Sequence, residues 1–482
     1  MRPLEVCLLV FGLLAALSLL SNRSRQIGRI LVLLSLVVLA AHAIVEGAHW
    51  QMIPAYLALA LLCVAGWKRV SGGRRLLRVS ACVLALLLLG ASVAASYVLP
   101  MFRLPKPTGS YPVGTTILYL KDGSRVDDAA PVAGQPRELM VQVWYPAAAS
   151  SNRWARYREP RETNLLSSYQ TAIATDSRLN APVADAGAPF PVIVFNHGWG
   201  SRRTNDTFLT EELASHGYVV ASIDHTYNAS LVAFPDGRQV RSNASGLIGD
   251  AEGSTPDEVR AVWNKELAKQ EADERFVLDR LAAMSRDAGS PWHGRLNTNL
   301  AGAIGHSFGG AASTDFCALD PRVRGSVNMD GWFFGAIEAR GPNQPLMYLN
   351  TSGDEIGQPS NPAAKVSAAL NTQDGIDLLH SLRSYGGYVV TLKGAEHVDF
   401  TDQGLVSPLR SVSHAGTISA SEAEAIVRAY VVAFFDKTLR GQDPKILRDP
   451  ASPFPDATFE TWTGSGAGNQ VKSSPQAAPH GP

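Results

Sequence analysis

Gly305, His306, Ser307, Phe308 and Gly309 form a G-x-S-x-G run between a β-rich stretch, Leu300 to Ile304, and a small-residue stretch, Gly310 to Ser313. A strand, a tight turn and a helix in that order would lift a serine hydroxyl above the end of a sheet, where it can attack an acyl carbon. Glycines two residues to either side would let the strand and helix backbones approach. The bland alternative is a Gly-rich turn packed in a core, and the strand–turn–helix context argues against it.

A serine needs a base, and this arrangement presents one late in the chain, in the order serine, acid, histidine. His397 stands in Gly394, Ala395, Glu396, His397, Val398, just past an expected strand, where a loop could return it to the serine. His380 lies in a helical stretch and His414 in a Ser-rich loop, and both read as solvated surface residues. Two carboxylates compete for the third position. Asp330 ends the strand after the serine helix and Asp354 ends the next one; either could orient the imidazole, and either could be a plain turn residue. An oxyanion needs backbone N–H donors. Phe308, following the nucleophile, would supply one, and Trp199, in the post-strand run Asn196, His197, Gly198, Trp199, Gly200, the other.

The elements that must position these groups alternate between strand and helix patterns. Strands are expected at Thr115–Leu120, Leu139–Tyr145, Pro191–Asn196, Tyr218–Ile223, Leu300–Ile304, Ser326–Met329, Leu346–Asn350 and Tyr388–Leu392. Pro191–Asn196 is apolar almost throughout, as a strand buried on both faces should be. Helices are expected at Leu209–Ser215, after Thr255 with a Thr-Pro-Asp-Glu start, and over Glu422–Leu439 with Ser421 as its cap. This is the pattern of an α/β fold, a mostly parallel sheet with helices on both faces, over residues 104–443. Ala147–Ala188 and Tyr227–Ser254 are the expected lids over the site. Residues 444–482, rich in Pro, Gly, Ser and Ala, are expected to be disordered.

Residues 1–103 follow a different composition. Leu4–Leu20, Ile30–Val45, Ile53–Trp67 and Val79–Leu99 are apolar runs close to the roughly 17–25 residues that cross a bilayer as helix. The first lacks a small-residue cleavage site and reads as a retained helix rather than a signal peptide. Arg23, Arg25 and Arg29 occupy the first loop, and Lys68, Arg69, Arg74, Arg75 and Arg78 the third, whereas the second, around Glu46 and His49, has no cation. Cation-rich short loops stay in the cytoplasm, so everything after Leu99 is expected outside, in the periplasm or on the outer face. His42, Glu46 and His49 gather at an expected helix end and read as interfacial rather than as a metal site or proton relay. No His, Cys and carboxylate set has ligand spacing, so neither a metal nor a cofactor is implied.

Across all 482 residues, 43 basic and 43 acidic side chains balance with no block of like charge, which argues against a nucleic-acid partner. Of four cysteines only Cys317 falls in the globular part, so a disulfide framework is not expected and Cys317 reads as a small core residue.

Four pieces carry a resemblance: Phe195–Gly200 with LASHGYVV at Leu213–Val220, GHSFGG at Gly305–Gly310, MDGW at Met329–Trp332, and KGAEHVDF at Lys393–Phe400. In order and spacing they resemble the bacterial and animal platelet-activating-factor acetylhydrolases of the α/β-hydrolase fold. The resemblance implies a Ser307, Asp330, His397 triad with Trp199 and Phe308 as oxyanion donors, and short-acyl phospholipids or other small esters as substrates. Bacterial polyester hydrolases and cutinases look next most similar, and in them the acid follows the later strand, which would be Asp354. The four-helix membrane segment departs from both groups. A peptidase or acyltransferase would use the same triad, and a non-catalytic membrane sensor is the alternative outside enzymes.

Overall fold

The computed structural model describes residues 1–67, 74–148, 153–242, 255–342, 344–352 and 362–465. It divides into two compact units, one of Met1–Arg103 with Arg156–Ala174 and Leu405–Ser413, the other of the remaining chain.

The first unit is built on helices α1 (Pro3–Leu20), α2 (Arg25–Ala41), α3 (Ile53–Trp67) and α4 (Arg74–Val98). With their flanking turns they form four helices long and apolar enough to cross a membrane. Ala15, Ala16, Ala55, Ala58, Cys82 and Ala85 are buried among them, while Val37 and Leu87 stand 68% and 67% exposed. Leu8, Leu19, Val32 and Leu62 are buried with them, so the unit is apolar both inside and on its outward faces, a pattern that suits a hydrocarbon surround.

His42–Glu46 form a π turn that ends α2. These residues gather at a helix end, as expected, and there Glu5 and His42 are fully buried and join Arg2, Glu46 and His49 in one hydrogen-bonded group. His42 pairs with Glu46 at 2.9 Å and the Tyr56 hydroxyl at 2.7 Å, and His49 with Glu5 at 2.9 Å and Gln51 at 2.7 Å. Ligand-type atoms of Glu5, His42 and Glu46 lie within 4.8 Å of one another, a grouping that linear spacing hides because two helices separate Glu5 from the rest. The Arg2 guanidinium bonds Glu5 and the Glu46 and Gly47 carbonyls, so these carboxylates already face a cation.

The second unit carries strands β1 (Val113–Val126), β2 (Pro136–Pro146), β3 (Trp154–Arg156), β4 (Ala174–Leu179), β5 (Phe190–Asn196), β6 (Val219–Asp224), β7 (Leu231–Ala233), β8 (Gln239–Arg241), β9 (Leu296–His306), β10 (Val323–Met329), β11 (Leu346–Thr351), β12 (Gly387–Leu392) and β13 (Ala457–Trp462). Its helices are α5 (Thr207–Ser215), α6 (Pro256–Arg286), α7 (Phe308–Leu319), α8 (Ala336–Arg340), α9 (Pro362–Tyr385) and α11 (Ala420–Arg440); the short α10 (Arg410–Ser413) belongs to the first unit. Among the described residues, eleven strands form one sheet in the order β13-β12-β11-β10-β9-β5-β6-β2-β1-β4-β3. The run from β6 through β12 is parallel, and β2 and β13 flank it antiparallel. Alternate residues of β9 serve two layers: Ala301 and Ala303 pack with Val277 and Phe316 from α6 and α7, while a Cβ on Gly302 would meet the Phe435 ring of α11. β5 is buried at every position, as its apolar run foretold.

Two expectations change. The segment after Pro444 is not wholly without structure, because β13 pairs with β12 from Gly387↔Trp462 to Leu392↔Ala457. Its alternation buries Ala457 and Phe459, the latter against Tyr430 at 5.2 Å between ring centroids, a signal that the surrounding Pro and Gly dilute. Residues 466–482 lie outside the described chain. The cap of α11 is Ser419, whose hydroxyl accepts from the Glu422 N–H at 3.2 Å, rather than Ser421. The lid expectations fall partly outside the described residues, at 149–152 and 243–254; Arg156–Ala174 within them belongs to the first unit.

Candidate active site

Ser307 stands between the last residue of β9 and the first of α7, with φ of 57°, a left-handed conformation that a serine adopts only where the surroundings impose it. The turn admits no side chain at its glycines: a Cβ on Gly305 would lie 2.2 Å from the Gly309 carbonyl oxygen, and one on Gly309 2.3 Å from that of Asn196. The Ser307 N–H donates to the Met329 carbonyl at 2.9 Å, tying the turn to the end of β10.

His397 opens a 3-10 turn, His397–Phe400, beyond β12. Its Nδ1–H donates to Asp330 Oδ2 at 2.5 Å, and the other carboxylate oxygen accepts from the Thr351 N–H at 3.2 Å. Asp330 is buried, with φ of 52°, whereas the His397 side chain is 39% exposed and open to a ligand. Ser307, Asp330 and His397 thus follow the C-terminal ends of β9, β10 and β12, the end at which open parallel sheets bind ligands. Asp354, the competing acid, lies outside the described residues. His380 and His414 are exposed, as expected of surface residues.

Phe308 is the first residue of α7, so its N–H has no acceptor within the helix and is available to a developing anion. The Gly198–Trp199 loop faces it: a Cβ on Gly198 would lie 3.0 Å from Ser307 Cβ, and the Trp199 and Phe308 rings meet edge to face at 5.4 Å. His197 fixes this loop. Its Nδ1–H donates to the Gly198 carbonyl at 2.7 Å and its Nε2 accepts from the His225 N–H at 3.3 Å. Burial, with a smaller contribution from His225, pushes the His197 pKa down to about 4, so the ring is neutral at physiological pH.

Behind the loop lies a buried polar network that sequence reasoning missed. Asn196 Nδ2 donates to Ser313 Oγ at 2.8 Å and to Glu274, and its Oδ1 meets His225 Nε2 at 3.0 Å. His225 Nδ1 and the Arg137 guanidinium share Asp273, at 2.9 Å and 2.6 Å for the same oxygen. Burial opposes the Asp273 charge, yet Arg137 and His225 hold it well below the usual carboxylate range, while burial drives Glu274 well above it. Nothing in the local sequence marks these residues, because Arg137 and Asp273 are 136 positions apart. Cys317 is buried, its thiol pushed up to about 12 by burial, which suits an inert core residue.

The profile of the family described as platelet-activating factor acetylhydrolase, isoform II, matches residues 98–245 and 287–445. A probable 1-alkyl-2-acetylglycerophosphocholine esterase of Arthroderma benhamiae is 24% identical over 77% of this chain and 96% of its own. The platelet-activating factor acetylhydrolase of Canis lupus familiaris is 25% identical over 61% of this chain and 72% of its own. Among solved structures, a ferulic acid esterase from Streptomyces cinnamoneus superposes with a TM-score of 0.60 at 31% identity, covering 74% of this chain and 99% of that one.

Proposed function

The chain belongs to the platelet-activating factor acetylhydrolase isoform II family, and on that premise we propose that it hydrolyses short-acyl or lipid-derived carboxylic esters through Ser307, His397 and Asp330. The observation that carries this reading is the 2.5 Å bond from His397 to a buried Asp330 beside the strained Ser307 turn. His397 Nε2 takes the Ser307 proton as Oγ attacks the ester carbonyl, and Asp330 stabilises the imidazolium that forms. The tetrahedral oxyanion accepts from the Phe308 and Trp199 N–H groups. Its collapse expels the alcohol, which takes the proton from His397, and leaves an acyl-Ser307. A water deprotonated by His397 then releases the acid and restores the serine. Trp199 and Trp332 pack against the cluster of Phe308, Phe334 and Trp263 beside the oxyanion loop, an apolar wall that suits a small acyl group better than a charged one.

The four apolar helices are read as membrane-crossing, holding the hydrolase part on the extracytoplasmic side. An ester-selective enzyme should cleave p-nitrophenyl acetate and leave the matching anilide intact, whereas a peptidase would cleave both. Purified protein in detergent should also take a fluorophosphonate label on Ser307, and Ser307→Ala should lose both labelling and esterase activity with little change in Tm. An adduct mapped by mass spectrometry to another residue, or near-normal activity in S307A, would end this assignment.

A further inference from the structure

His306, the residue before the nucleophile, makes contacts that an ordinary turn residue has no need of. Its Nε2–H donates to the backbone carbonyl of His397 at 2.8 Å. Its ring lies 4.4 Å from the His397 imidazole at 38°, and Phe400 stacks on it at 6.5 Å and 27°. A Cβ on Gly198 would lie 3.2 Å from its Nδ1, so the ring also borders the oxyanion loop. One buried side chain therefore touches the loop that carries the base and the loop that carries an oxyanion donor, while its own backbone leads into Ser307.

We propose that His306 is a positioning residue for catalysis, its Nε2–H holding the His397 backbone and its ring backing the His397 imidazole, so that the serine turn sets the height and tilt of the base. This rests on the triad reading above. The bond matters because the His397 side chain is otherwise fixed by Asp330 alone among the contacts described, and a base misplaced by about 1 Å can cost about a hundredfold in rate. Its partner, a carbonyl, only accepts, so Nε2 carries the proton. Burial, followed by the nearness of His397, keeps the His306 pKa well below that of an ordinary imidazole. The ring behind the base accordingly stays neutral when His397 becomes an imidazolium, and its face adds no opposing charge.

The test uses full-length protein in detergent with p-nitrophenyl acetate. Gln at position 306 can still extend an amide N–H toward the His397 carbonyl; Asn is too short; Phe keeps the stacked ring without the donor. H306Q should stay within about threefold of the parent kcat, while H306N and H306F should each lose about 10- to 100-fold in kcat with KM changed less than about twofold. Fluorophosphonate labelling rates should fall in the same order with the adduct still on Ser307. If H306F does not fold, as its Tm will show, the H306Q and H306N pair decides alone. Folded H306N or H306F with the parent kcat, or H306Q as slow as H306N, would overturn the role of His306. An adduct elsewhere in every variant would instead overturn the triad.

Discussion

Asp330 is held by two bonds besides the one to His397. Its N–H donates to the Leu349 carbonyl at 2.7 Å, its Oδ1 accepts from Thr351, and only Oδ2 remains for His397. Asp330→Asn leaves room for the same packing but turns one position from acceptor into donor, which forces either the wrong imidazole tautomer or a broken bond. We expect kcat for ester hydrolysis to fall by about 10³- to 10⁴-fold with Tm within a few degrees, and Asp354→Asn to be mild. A crippled D354N with an active D330N would assign the acid to the later strand. Ser307 and His397 were legible in the sequence because each lies in a short run whose context, strand then turn, is itself local. The residues themselves left Asp330 and Asp354 open, since both end strands, and only the resemblance favoured Asp330; the sheet order, with β10 directly beside β9, sets Asp330 near Ser307, while Asp354 lies outside the described residues. His197, His225 and Asp273 were invisible for the same reason on a larger scale, since the partners that give them meaning lie on other elements.

At the scale of elements, α5 shows how a helix can be fitted into a core at a cost that depends on pH. Thr207 and Phe208 at its start donate to the Asp402 carboxylate at 2.8 and 3.1 Å, a cap supplied from nearly 200 residues away rather than by a local Ser or Thr. One turn on, Glu211 is fully buried, its carboxyl bonded by Ser177, and burial pushes its pKa up to about 8. A carboxyl raised in the folded state binds its proton more tightly there than in the unfolded chain. Stability therefore falls as pH rises from about 4.5 toward 8, the interval in which only the folded form is protonated. Glu211→Gln removes the ionisation while keeping an acceptor for Ser177. Its Tm should match the parent near pH 5 and exceed it by several degrees at pH 8, a gain whose ceiling is about 4 kcal/mol from the size of the shift. Equal differences at both pH values in differential scanning fluorimetry would contradict the buried-carboxyl argument. β5 was readable from its continuous apolar run and α6 from its Thr-Pro-Asp-Glu start, while only the later part of β9, Leu300–Ile304, stood out. β13 was not, because six alternating residues are set among prolines and glycines whose composition speaks louder than their neighbours' period.

At the scale of the whole molecule, the proposal that the four helices cross a membrane fixes on which side the chemistry would take place, and the charges of the helical unit support one answer. Three described cations gather at one end of the bundle: Arg29 and Arg25 reach the Gly66 carbonyl at 2.8 and 3.3 Å, and Arg78 reaches Asn22 at 2.6 Å. At the other end lie Glu5, His42, Glu46 and His49, where Arg2 is the one cation bonded to the group among the described residues. Arg2 is bonded to the Glu5 carboxylate, which balances its charge, whereas Arg25, Arg29 and Arg78 meet neutral carbonyl and amide oxygens at the loop end. Under the proposed membrane-crossing reading, retention of such loops in the cytoplasm would put both ends of the four helices outside, together with everything that follows Val98. A reporter that is active only outside the cytoplasm, fused after Arg103, should therefore be active, and one fused in the first loop silent. Replacing Arg23, Arg25 and Arg29 together by Asn should lower the correctly oriented fraction while leaving esterase activity per oriented molecule unchanged, because those residues are no part of the proposed triad or oxyanion loop. Cytoplasmic activity of the Arg103 fusion would reject this topology and put the ester substrates on the inner side instead.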